Sequence, residues 1–181
     1  MDSGITQPQG EFVFQITSCD VQTLSQDDQD AILQLNKKLR GAAADTSFEN
    51  FVKHNLHMGQ EDALLYVARD TAQVIKAVII LDVEDVSSYW IRHNVVSDDA
   101  AGHGLGTKML QTVINQARAR GAKKVSLVCN DIPSRDAARI VYTKAGFHLV
   151  DPRYTTIQAP DGGVIAVQRW DLGLEEKIAN A

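Results

Sequence analysis

Apolar positions along this chain change their period several times, and each change marks an element. Residues 11–17 alternate around Phe12, Phe14 and Ile16, which predicts a strand. Ser25 and Asp28 form a capping-box signature, followed by Ile32, Leu35 and Leu39 at helical spacing and Gly41 as a stop. A second box, Thr46 with Glu49, opens a helix with Phe48, Phe51, Val52 and Leu56 on one face. The period then drops to that of strands. Apolar runs over 63–68 and 74–81 flank the turn Arg69-Asp70-Thr71 and predict an antiparallel hairpin, and 88–96 reads as a further strand. A long helix follows, with Met109, Leu110, Val113, Ile114 and Ala117 inward and Lys108, Gln111, Gln116 and Arg118 outward, ended by Gly121. Residues 125–129 predict a strand, and Pro133-Ser134 leads into a helix bearing Ala138, Val141, Tyr142 and Ala145, closed by Gly146. Two last strands, 147–158 and 164–172, flank the hairpin signal Asp161-Gly162.

The order is strand, two helices, three strands, helix, strand, helix, two strands. It predicts an α/β protein with a mixed sheet, not a doubly wound parallel one. No repeat or linker divides the chain, so a single domain is expected over 11–181 behind a flexible leader over 1–10. At 44% hydrophobic and 23% charged, the 181 residues have globular composition. No apolar run approaches the ~20 residues of a membrane span, and Cys19 and Cys129 stand apart without metal-ligand spacing. The expectation is a cytoplasmic setting, no metal and no membrane partner. A formal charge of −5 argues against a nucleic-acid partner, which needs concentrated basic surface.

Candidate chemistry gathers between Val95 and Thr107, where an apolar strand end meets a short acidic turn and then Gly102, Gly104 and Gly106 before the long helix. Bare backbone at a helix N-terminus suits an anion, because unpaired N–H groups and the positive dipole end point the same way. A dinucleotide fingerprint fails, since Thr107 stands at the third glycine and Asn130 where an acidic residue belongs. A P-loop fails at Gly106-Thr107-Lys108.

The turn Ala101-Gly102-His103-Gly104-Leu105-Gly106, and further on Ala138-x-x-Val141-Tyr142-x-Lys144-x-Gly146-Phe147, resemble the paired signatures of the GNAT acetyltransferase superfamily. The resemblance implies a GNAT-like acyl-CoA N-acyltransferase fold: a central twisted, mostly antiparallel sheet with one splayed parallel strand pair, flanked by about four helices. It implies acetyl-CoA as cosubstrate, its pyrophosphate held by the N–H groups of His103, Gly104, Leu105, Gly106 and Thr107. Strand 91–96 would splay from 125–129 to admit the pantetheine arm, and backbone near Val95 and Val96 would polarise the thioester carbonyl. Two positions depart from the family pattern: Ala101 stands where Arg or Gln is usual, and Arg135 where Asn is frequent. Arg135 is a candidate for a bidentate phosphate contact or a solvated first-turn residue.

By the same resemblance Tyr142 is the general acid that protonates departing CoA sulfur. No base stands out. Trp90, Arg92 and Asn94 should face the acceptor, with Trp90 and Arg92 as substrate contacts, while alternation turns His93 to the opposite face. Arg92 there would favour an acceptor carrying a carboxylate or phosphate, although an ion-paired structural arginine explains it equally. Glu84 and Asp85 precede the strand, and Glu49, Phe48, Phe51 and His54 lie on the early helices that shape acceptor pockets in the family. The function implied is transfer of acetyl to a primary amine, small-molecule or protein, by direct attack in a ternary complex. The alternative is a noncatalytic acyl-CoA-binding or partner-binding module. A homodimer is compatible with either.

Overall fold

The computed structural model describes residues 13–55, 63–159 and 162–174. The leader, Glu11, Phe12, Leu56 and Asp161 lie outside the described residues. Strands β1 (Gln15–Cys19), β2 (Leu64–Arg69), β3 (Ile75–Asp85), β4 (Ser88–Val96), β5 (Lys124–Asn130), β6 (His148–Gln158) and β7 (Val164–Gly173) form one sheet in the order β1-β2-β3-β4-β5-β7-β6. Neighbours run antiparallel except β4 and β5, which are parallel. Helices α1 (Gln26–Arg40) and α2 (Phe48–Asn55) cover one face; α3 (Leu105–Ala119) and α4 (Asp136–Lys144) cover the other.

The element order matches the hydrophobic pattern, and local chemistry explains most boundaries. Ser25 caps α1 by accepting from Asp28 N at 3.2 Å. In α2 the cap is Ser47, whose Oγ accepts from Asn50 N at 3.2 Å, one residue later than the expected Thr46. Either hydroxyl suits the motif; the apolar face sets the phase, and Phe51 N bonds Ser47 O, which fixes Ser47 as the last residue before the helix. The first strand starts at Gln15 instead of residue 11, because its partner β2 ends at Arg69, opposite Gln15. Between β2 and β3, Asp70 Oδ1 accepts from Ala72 N and Val74 N, both at 2.9 Å, and closes the turn.

The sheet separates two cores. Ile79, Leu81, Ile91, Val125 and Leu127 pack under Leu105, Met109, Leu110, Val113 and Ile114 of α3. Leu65, Val67, Val78, Ile80 and Val95 pack under Ile32, Leu35, Phe51 and Val52 of α1 and α2. Arg69 joins α1 to the sheet through Asp28, its Nη1 and Nη2 donating at 2.5 and 2.9 Å. Both helical layers are thereby held against β3 and β4, the strands that carry the site.

Candidate active site

The parallel pair is short. Rungs run from Ser88↔Lys124 to Ile91↔Leu127, and there the pairing stops although both strands continue. A gap therefore opens between 92–96 of β4 and 128–130 of β5, as the splayed pair requires. Beyond Val96 the chain makes a 3₁₀ turn at Asp98–Ala100 and enters the glycine loop.

In that loop Gly102 has φ 80° and Gly104 φ 75°, whereas His103 between them does not have positive φ. Alternation of backbone sign turns successive N–H groups inward and makes an anion-binding nest. Gly104 is also the α3 N-cap, without a side-chain cap bond. The first intrahelical bond runs from Lys108 N to Gly104 O at 3.0 Å, so the N–H groups of Leu105, Gly106 and Thr107 have no carbonyl one turn back within the helix. Gly106 differs: its φ is not positive, and a Cβ there would meet Val96 Cγ2 at 3.5 Å, an ordinary contact distance. The acidic turn beside the nest is neutralised. Lys38 Nζ sits 2.7 Å from Asp98, and Lys76 Nζ sits 2.5 Å from Asp99, which Ser97 Oγ also reaches at 2.5 Å. Lys76 accordingly holds the Asp99 carboxyl below its ordinary range.

Tyr142 projects from α4 toward the gap and is 7% exposed. The Asn94 side chain of β4 lies close enough to influence its phenol. Phe147 and Trp170 pack on its ring at centroid distances of 6.2 and 6.5 Å. Burial pushes the phenol well above its ordinary value, with Cys129 adding to the effect, so the proton stays on oxygen at neutral pH. Burial likewise raises the Cys129 thiol, leaving it a packed, unreactive group. Arg135, in the 3₁₀ turn before α4, donates from Nη2 to Leu39 O at 3.1 Å. With Lys38, whose Nζ donates to Val96 O at 2.6 Å, it ties the C-terminal end of α1 across the gap.

The face of each β4 residue differs from simple alternation. Ile91 pairs Leu81 but His93 pairs Ile80, so Arg92 is an extra residue, a β-bulge. Past it the parity inverts. Trp90, Arg92 and His93 share the α1/α2 face with Ile80 and Asp82, while Asn94 turns to the α3/α4 face, where Tyr142 meets it. The expectation that Asn94 faces the acceptor with Trp90 and Arg92, and His93 faces away, is therefore corrected: one inserted residue exchanges the two.

His93 is 2% exposed, its Nε2 3.2 Å from Asn36 Oδ1 and its ring edge-on to Phe51 at 5.8 Å. Burial and the nearby Arg40 guanidinium lower its pKa to about 4, with Asp45 opposing weakly. The unfolded chain binds a proton here from pH 6.5 downward, which the folded chain refuses until about pH 4. The neutral ring therefore contributes stability that disappears as pH falls through this window, on the order of 3 kcal/mol in total. Urea unfolding is expected to show the parent chain losing about that much more than His93→Gln between pH 6.5 and 4; parallel losses would contradict it. His54 does not join the gap; it pairs with Asp45 at 2.7 Å, and Asn55 donates to the same carboxylate at 3.1 Å. Phe48 stacks on Phe51, whose buried ring belongs to the core. Glu49 lies in the first turn of α2 without a described partner.

Trp90 organises the α1/α2 face. Its Nε1 donates to Glu84 Oε2 at 2.8 Å, and the Arg92 and Arg169 guanidiniums lie 5.6 and 5.1 Å from its ring centroid. Arg92 Nε donates to Asp82 at 2.9 Å, and Arg169 donates to Asp171 from Nε and Nη2 at 3.0 and 3.2 Å. Tyr154 of β6 closes the group, 6.2 Å from Trp90. Asp85 instead accepts from Ser87 N and Oγ and shapes the β3–β4 turn. Sequence reading missed Asp82, Arg169 and Asp171. Asp82 left a signal, a lone carboxylate inside the apolar run of β3; the other two left none.

The comparisons agree with this architecture. Residues 61–149 match the family model for an acetyltransferase (GNAT) domain, a span that includes β2 to α4 and both signature segments. The fold is similar to that of the ribosomal-protein-S18-alanine N-acetyltransferase from Escherichia coli, at 20% identity over 93% of this chain and 99% of that one, TM-score 0.68. It is similar to a GNAT family acetyltransferase from Elizabethkingia anophelis with acetyl-CoA bound, at 16% identity over 89% and 98%, TM-score 0.66. It is also similar to an aminoglycoside 6'-N-acetyltransferase complexed with coenzyme A, at 13% identity over 87% and 96%, TM-score 0.68. No curated protein matches the sequence. A split parallel pair, a glycine nest at the following helix and a matching family model lead to one assignment: residues 61–149 form an acetyltransferase (GNAT) domain, and the chain around them has the GNAT fold.

Proposed function

We propose that this protein transfers the acetyl group of acetyl-CoA to a primary amine by direct attack in a ternary complex. The observation that carries the reading is the adjacency of two features: β4 leaves β5 after Ile91, and within a few residues the chain forms the nest at Gly102 and Gly104. A thioester lying in the gap thus has its diphosphate at the nest. The N–H groups of His103, Gly104, Leu105, Gly106 and Thr107 hold that diphosphate. Arg135 spends Nη2 on Leu39 O, and its other guanidinium donors, without a partner among the described residues, suit a phosphate oxygen. The β4 backbone at Val95 and Val96 orients the thioester and polarises its carbonyl.

Acetyl-CoA supplies the activated acyl carbon. The amine nitrogen bonds to that carbon as the C–S bond breaks. Tyr142 donates its phenolic hydrogen bond to the departing sulfur, and the proton lost by the amine leaves to water. His93 does not take that proton: a base with pKa about 4 is on the order of 8 kcal/mol too weak against an alkylammonium. Its role is to pin β4 to α1.

Calorimetry with the full chain is expected to show saturable binding of acetyl-CoA with CoA as competitor, and free thiol is expected to appear only when an amine is added. Absence of binding to either ligand overturns the reading. Binding without amine-dependent thiol release on a broad amine panel would instead select the noncatalytic acyl-CoA module.

A further inference from the structure

We infer that the acceptor is an amine that also carries a carboxylate, an amino-acid-like zwitterion held by the unused edges of Arg92 and Arg169. The inference deepens the acetyltransferase reading and rests on it. Arg92 is the bulged residue directly after the last β4–β5 rung, so it stands at the mouth of the gap on the face away from Tyr142. An amine attacking from that face brings its other substituents against Arg92, Trp90 and Arg169.

Both arginines are anchored along one edge and open along the other. Arg92 spends Nε on Asp82, whose side chain is 5% exposed, while its own is 46% exposed. Its Nη groups have no other partner among the described residues. Arg169 spends Nε and Nη2 on Asp171 and keeps Nη1. Trp90 lies against both guanidiniums, and Tyr154 lies 5.7 Å from Arg169, so packing limits the freedom of both forks. A planar fork held in place with outward N–H groups matches a carboxylate.

Charge decides between anionic classes. Asp82, Glu84 and Asp171 are balanced by Arg92, Arg169 and the Lys124 that acts on Asp171, so the cluster has no cationic excess to offer a phosphate dianion. A polycation finds the carboxylates already bonded to Arg92, Trp90 and Arg169. A zwitterion suits a balanced cluster: it adds no net charge, and its carboxylate meets the forks.

The experiment pairs amino acids with their carboxamides as acceptors, reads kcat/KM by thiol release at saturating acetyl-CoA, and measures acetyl-CoA binding by calorimetry on the same samples. Amidation also lowers the amine's pKa, so the readout is the change in the acid-to-amide ratio between proteins. Arg92→Lys keeps the cation beside Asp82 and removes the fork; it is expected to lower that ratio about tenfold. Arg169→Lys is expected to lower it in the same direction, and both should bind acetyl-CoA within about twofold of the parent. An unchanged ratio in both variants, or turnover of neither acid nor amide by a chain that binds acetyl-CoA, overturns the zwitterion assignment alone. Failure to bind acetyl-CoA overturns the acetyltransferase reading and this one with it.

Discussion

Tyr142→Phe is expected to lower turnover about 100-fold or more, while acetyl-CoA affinity stays within about threefold of the parent. The substitution removes one oxygen and leaves the ring. Contacts with Phe147 and Trp170 are therefore retained, and with them the seat of α4 on β5 and β7. The oxygen lost is the one that meets Asn94, on the strand that lines the gap. Burial keeps the phenol protonated far above neutral pH, so a hydrogen-bond donor is present throughout the working range. The same burial makes it a weak acid in the free chain, and its contribution comes as negative charge builds on sulfur in the transition state. Thiol-release kinetics beside calorimetry separate the two effects. Unchanged turnover removes Tyr142 from the chemistry, and a parallel loss of affinity and melting temperature would reassign it to packing.

Much of this architecture was legible because the relevant signals are local. Period changes gave each element in order, and capping residues gave α1 and nearly gave α2, where adjacent Thr46 and Ser47 both offer a hydroxyl and only backbone pairing separates them. The glycine loop was legible for a similar reason, since alternate glycines before an amphipathic helix have few other uses. Facing was lost at a single residue. Alternation assumes uniform pairing, and nothing in Ile91-Arg92-His93 announces that β4 carries one residue more than β3. That insertion moves His93 to the α1/α2 side and brings Asn94 to Tyr142, so it decides which side chains meet across the gap. The Trp90 cluster was half hidden for another reason. Arg169 and Asp171 join it through β7, which lies beside β5 although the chain reaches it last. A contact between elements so distant in sequence leaves no periodicity to read.

The three loop glycines looked alike in sequence, and the structure separates them into two kinds with different expected outcomes. Gly104→Val is expected to weaken acetyl-CoA binding at least about 100-fold, the greater part of what a cradle of several charge-assisted hydrogen bonds supplies. Space is not the obstacle, because a Cβ at Gly104 meets nothing within 4 Å. Conformation is. At φ 75° a β-branched residue is strained by more than the ~1–2 kcal/mol that the left-handed region costs an ordinary one, and the loop relieves the strain by rotating out of it. Rotation turns the N–H groups on either side away from their common focus, so the nest is lost while α3 remains packed through Leu105, Met109 and Leu110. Gly106→Ala should behave oppositely. Its φ is not positive, its added Cβ meets Val96 at ordinary contact distance, and alanine favours the helix by about 1 kcal/mol. The N–H proposed to face the diphosphate is unchanged, and affinity should stay within about threefold. Calorimetry on the two variants, each checked for a melting temperature near the parent's, tests the backbone cradle directly. Tight binding by Gly104→Val would mean that the diphosphate is held by something other than these amides.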